Sequence, residues 1–160
     1  MSTPPEEIKG VMDALRARVK ELRGRNGWSG AELGDRLAAL GVPWNRSVVA
    51  NFESGRRPAV SVQELLALAH VLDVSPSGLL VPLDSEPYRI TPEGTEPVNS
   101  ADAWLWITGR RPLPGSSKAS ERLFFTEAPT EVGRGERDET TGLYEWYEKI
   151  DSGGADGDRL

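Results

Sequence analysis

The stretch RSVVANFESGRR at positions 46–57 places polar side chains where a core has no use for them. On a helix, Val49 and Phe52 share the inward face. Arg46, Ser47, Ala50 and Asn51 then fall on the outward side, with Asn45 just ahead of them. These residue types suit base edges. Arginine can bond guanine through two donors, asparagine can pair with adenine in the same bidentate way, and serine bonds either. Alanine permits close approach or a thymine-methyl contact. The major groove is about 12 Å wide and admits one helix. Arg56 and Arg57, past the helix end, suit phosphates.

Presenting such a helix requires a bend behind it, and WSGAELGDRLAALGVPWN at 28–45 supplies one. Ser29 with Glu32 reads as a capping box, with Trp28 and Leu33 as the hydrophobic staple. Leu33, Leu37 and Leu40 keep helical spacing. Gly41 offers a left-handed stop, and Pro43 prevents simple continuation. A helix restarts at Asn45 and ends at Gly55. Before this hairpin, the apolar stripe Ile8, Val11, Met12, Leu15, Val19 and Leu22 predicts a helix over 8–25. Arg16, Arg18, Lys20, Arg23 and Arg25 lie largely off that stripe; most of them read as a solvated face, with Arg23 the exception. After the hairpin, Ser61 and Glu64 form a second capping box, with Val60 and Leu65 as staple, for a helix over 61–72. His70, the only histidine, reads as structural. Ser75 and Pro76 start a short fifth helix closing around Leu79 and Leu80.

The run VVANFESGRRP followed by VSVQELLALAHVLDVSPSGLL resembles the helix-turn-helix of Cro/C1-type (XRE-like) transcriptional repressors. The resemblance spans roughly residues 10–82. It implies a mainly α protein with a five-helix, lambda repressor-like DNA-binding domain. Carried over, it puts Arg46, Ser47 and Asn51 where the family reads base edges. Ser29 and Arg56 fall where it touches phosphate, and Arg23 and Glu53 where an internal ion pair often forms. Two features depart from the family pattern. The linker 38–44 is several residues longer than the usual turn, which bears on the reach of Asn45 and Arg46. Gly30 stands where many relatives carry a polar phosphate-contacting side chain.

The chain has 160 residues, no cysteine and a net charge of −6. The charge is unevenly placed. Residues 1–82 hold ten Lys/Arg against nine Asp/Glu, a net of +1. Residues 83–160 hold nine against sixteen, a net of −7. The expected division is a DNA-binding domain at 8–82, a connector at 83–115 and an acidic, partly disordered segment at 116–160. The connector should carry a short strand near 88–91 and a helix over 100–108, capped by Asn99 or Ser100 and stopped at Gly109. Trp104, Leu105, Trp106 and Ile107 make that helix too apolar for free solvent; it should pack back on the five-helix unit in preference to forming a dimer surface. ERLFF at 121–125 and GLYEWYEKI at 142–150 are apolar islands, the latter a candidate helical face of Leu143, Trp146, Tyr147 and Ile150. Residues 1–7 and the last ten read as disordered.

Enzyme chemistry finds no footing. There is no glycine-rich phosphate loop after a strand, no HExxH, and one histidine cannot build a familiar metal set. Ser116, Ser117 and Lys118 lack the β-rich setting that a Ser–Lys dyad needs. No catalytic residue, metal or cofactor is expected. No apolar run reaches the ~20 residues of a membrane span, and MSTPPEEIKG has no apolar signal core, so a cytoplasmic protein is expected. The leading expectation is a sequence-specific double-stranded DNA-binding transcriptional regulator, a repressor by family habit, acting as a homodimer. The alternative is an antitoxin-type protein. In that case the N-terminal half autoregulates and the C-terminal half binds a partner protein. A degenerate module that binds only protein fits less well, because Arg46, Asn51 and Arg56 are retained.

Overall fold

A computed structural model describes residues 8–84 and 86–127, and the backbone of 136–137 and 144–145. The chain divides into two compact units, residues 1–104 and 105–160. In the first unit, five helices follow one another: α1 (Val11–Arg25), α2 (Gly30–Ala39), α3 (Arg46–Glu53), α4 (Val62–Val71) and α5 (Pro76–Leu80). Their starts follow local capping chemistry. Ser29 and Ser61 each accept a bond from the backbone N–H three residues on, and Glu32 and Glu64 bond back to the cap N–H. Ser75 caps α5, with Pro76 in its first turn.

α1 packs on α3 and α5, and α2 on α3 and α4. Leu15, Val19, Leu33, Leu37, Val49, Phe52, Leu68 and Leu79 are fully buried between them. Removing a leucine from such a core costs about 2–5 kcal/mol, so this apolar set defines the domain.

Helix α1 starts later than its apolar stripe suggests. Lys9–Gly10 is strand β1, paired in parallel with β2 (Pro87–Arg89). Gly10 is the cap of α1, and its N–H donates to Asp13 Oδ2 at 3.2 Å. Strand β2 also pairs antiparallel with β3 (Val98–Asn99), so the connector is a small sheet rather than a free extended link. The sheet brings Tyr88 into a second apolar cluster with Ala14, Val81 and Ala103, joined by Val11, Ile90, Val98 and Trp104. The Tyr88 hydroxyl donates to the Leu80 carbonyl at 2.6 Å. Helix α6 (Ser100–Ile107) begins on this cluster, with Asn99 Oδ1 accepting from the Asp102 N–H. Of the four apolar residues expected to pack, Trp104 lies against this cluster beside Ala103, while Ile107 is exposed.

In the second unit, Gly109 turns at φ 71°, and the Arg110 and Arg111 amides donate to the Leu105 carbonyl. ERLFF lies in α7 (Lys118–Thr126), capped by Ser117, with Phe124 and Phe125 edge-on at 5.4 Å. Strands β4 (Glu136–Arg137) and β5 (Tyr144–Glu145) pair antiparallel. The expected helical face of Leu143, Trp146, Tyr147 and Ile150 lies outside the described residues, as do residues 1–7 and the last ten. No helix among the described residues is long and apolar enough to cross a membrane.

Candidate nucleic-acid interface

The outward face of α3 is set by what its inward face buries. Val49 and Phe52 have no exposed surface, which turns Arg46, Ser47 and Ala50 fully outward and leaves Asn51 half-exposed. Beneath the helix, Arg23 of α1 grips Glu53. Its Nε and Nη2 donate to the two carboxylate oxygens at 2.7 and 2.9 Å, and its Nη1 donates to the Trp28 carbonyl at 2.7 Å. This is the ion pair that the resemblance implied. It is planar, bidentate and mostly buried, so α3 is held against α1 by geometry as well as charge.

The crossing of α2 and α3 depends on one glycine. A Cβ on Gly34 would lie 2.8 Å from Asn45 Cα and 2.9 Å from its carbonyl carbon. Only a bare backbone allows α2 to pass so close to the start of α3. The loop between the two helices is also structured. Gly41 turns at φ 79°, and the Gly41 and Val42 amides bond back to the Ala38 and Leu37 carbonyls. Val42 and Trp44 then drop into the core, with Trp44 only 3% exposed and its ring 5.3 Å from Phe52. The extra linker residues therefore fill space in the core.

The expected contact residues take different positions. Ser29 is exposed; its oxygen accepts from the Glu32 amide, and its backbone N–H and hydroxyl bond the Glu32 carboxylate, which holds that carboxyl below its usual range. Asn45 is the N-cap of α3, its Oδ1 accepting from the Val48 amide at 3.0 Å. The cap fixes the orientation of the Asn45 amide and engages one lone pair of Oδ1, leaving the two Nδ2 N–H donors uncommitted by it. Arg56 is exposed, past the left-handed turn at Gly55. Arg57 is differently employed. Its Nη2 bonds Glu64 Oε1 at 2.6 Å, and its guanidinium carbon lies 4.9 Å from the Trp44 ring centre. Trp44 Nε1 donates to the same Glu64 oxygen at 2.8 Å. Burial opposes the charge on Glu64, but the bonds from Trp44, Ser61 and Arg57 outweigh it and hold the carboxyl down at about 2. Sequence reading took Glu64 for a cap alone and Trp44 for linker.

Together, Ser29 at the start of α2, the outer face of α3 and Arg56 beyond it offer hydroxyl, amide and guanidinium groups. A cleft of about 530 Å³, lined by Pro43, Trp44, Asn51 and Arg56 among others, lies beside them. Among the described residues, no group of three or more His, Asp or Glu side chains is gathered as a metal site.

Comparison with curated proteins and with solved structures finds no match. Residues 14–79 match the model of a family described as a helix-turn-helix domain. That span takes in α2, α3 and α4 whole, α5 up to Leu79, and all but the start of α1. The hairpin of α2 and α3, the Arg23–Glu53 clamp and this match agree: residues 14–79 are a helix-turn-helix domain of the Cro/C1 type.

Proposed function

We propose that the chain is a sequence-specific double-stranded DNA-binding regulator of transcription, that it represses, and that it engages its site as a cytoplasmic homodimer. The observation that carries this reading is the outward face of α3. Arg46, Ser47 and Ala50 are exposed on the second helix of a helix-turn-helix and take no part in the core. Arg46 and Asn51 read bases, Ser47 and Ala50 complete the contact, and Ser29 and Arg56 hold phosphate. Asn45 contributes the N–H donors of its side-chain amide at the helix start. Dimerisation follows from charge. A domain of net +1 gains little from phosphate attraction alone, so two half-sites engaged together must supply affinity.

Repeated selection of bound duplexes from a random pool tests the reading. The expected result is a two-fold-symmetric motif with half-sites about one helical turn apart, 10–10.5 base pairs. A pool that shows no enrichment after selection removes the proposal. A second reading draws on α7, where Leu123 is 61% exposed beside Phe124 and Phe125. In it, the acidic C-terminal half binds a protein partner, as an antitoxin does, while the N-terminal half autoregulates. A stoichiometric protein partner recovered with the intact chain separates this from the first reading.

A further inference from the structure

Glu64 makes more bonds than capping α4 requires. Its Oε2 accepts from the Ser61 amide at 2.8 Å, which completes the cap. Its Oε1 accepts both the Trp44 indole N–H and an Arg57 N–H. Trp44 belongs to the loop before α3, and Arg57 to the loop after it. One carboxylate on a third element therefore ties together the two loops that flank the outward-facing helix. Arg57 also lies over Trp44, and its carbonyl accepts from Arg16 Nη2 of α1 at 3.1 Å. Arg56 is the neighbour of this fixed residue and is otherwise exposed.

We propose that Glu64, acting through Trp44 and Arg57, is the positioning residue that sets where Arg56 and the last turn of α3 meet DNA. The proposal rests on the DNA-binding reading above and assigns Arg57 to the protein's own frame instead of to phosphate. The chemistry favours that assignment. Arg57 lies over an aromatic ring and bonds a carboxylate, a site that suits a planar guanidinium and that lysine cannot reproduce. Its charge is already matched by the carboxylate beneath it, whereas among the described residues no comparable ion pair neutralises Arg56. The long loop before α3 explains why such a tie is needed. A short turn fixes the helix by chain geometry; a longer one must be fastened, and Trp44 is the fastening.

The test uses the intact protein, the duplex recovered by selection, and a scrambled duplex of the same composition. Glu64→Gln keeps a side chain suited to the capping box but removes the charge that holds Arg57. Arg57→Lys keeps the charge and removes the planar fork. Each variant is expected to bind the selected duplex about tenfold more weakly, the effect of losing one bond to a charged group. The double variant should lose no more than either single one. The salt slope should stay at the wild-type value, whereas losing a phosphate contact lowers it by about 0.9. In NMR spectra, the Trp44 indole N–H should move in both single variants.

Two results overturn the proposal while leaving DNA binding intact. If Arg57→Lys binds like wild type and Glu64→Gln binds both duplexes more tightly, Arg57 is a phosphate contact that Glu64 restrains. If both variants melt earlier yet bind with wild-type affinity, the network serves stability alone. A wild-type protein that selects no duplex sinks the DNA-binding reading itself, and this proposal with it.

Discussion

Arg46 and Asn51 can each offer a base two bonds at once, and neither is required to hold the domain together. Replacing either with Ala should cost roughly 1–3 kcal/mol on the selected duplex and relax preference at one base position. Arg46→Ala with unchanged affinity for both selected and scrambled duplexes would place the reading face elsewhere. Arg56→Ala should behave differently. It should weaken every duplex about equally and lower the salt slope by about one. A loss confined to one sequence, at constant slope, would make Arg56 a base contact. At this scale, much of the site was legible from sequence because caps and helical faces are local. Ser29 with Glu32 and Ser61 with Glu64 act across three residues, and Val49 with Phe52 fixes which side of α3 is buried. Trp44, Arg57 and Glu64 were not legible as a set. Their bonds cross loops whose course no local pattern dictates, and a carboxylate's second oxygen leaves no mark in spacing.

Elements are placed here by two features, a clamp and a gap. The clamp is Arg23 with Glu53, bidentate and with side-chain exposures of only 19% and 13%. A double-mutant cycle with alanine at both positions should give a coupling of about 0.5–3 kcal/mol, read from chemical denaturation. Additive losses would mean that α1 and α3 are held by packing alone. The gap is Gly34. Its missing Cβ lets α2 pass the backbone of Asn45, and backbone cannot step aside as a flexible side chain can. Gly34→Ala should therefore destabilise the domain by about 1–3 kcal/mol, although alanine favours helix in general. A variant that melts at or above the wild-type temperature would show that the crossing has slack. The five-helix order followed from sequence because each helix carries its own start signal. Strand β1 did not. Lys9 and Gly10 look like the head of an apolar stripe, and the partner that makes them a strand, Tyr88–Arg89, lies far along the chain. Sequence spacing carries no trace of such a pairing.

For the whole molecule, the dominant feature is the separation of charge. Residues 1–82 carry +1 and residues 83–160 carry −7, and the helix-turn-helix lies wholly in the first span. DNA is a polyanion, so an acidic segment on the same chain competes with it for the same cations. That competition acts on the sequence-independent attraction, the salt-sensitive part of binding. Contacts to base edges are short-ranged and should be nearly untouched. Residues 115–160 hold six Lys/Arg against eleven Asp/Glu, so their removal takes away five net negative charges. Truncation before Gly115 should therefore raise affinity for scrambled DNA more than for the selected duplex, most clearly at low salt. The opposing case assigns this segment to the dimer, through Phe124 and Phe125 of α7 together with Trp146 and Tyr147. Deletion would then uncouple the two half-sites and weaken binding to the selected duplex. Titrating intact and truncated proteins against both duplexes at two salt concentrations, with sedimentation of each, separates the cases. A truncated protein that sediments as a monomer and loses the selected duplex overturns the electrostatic account. One that gains on scrambled DNA, with the gain fading as salt rises, identifies the acidic half as a restraint on non-specific binding.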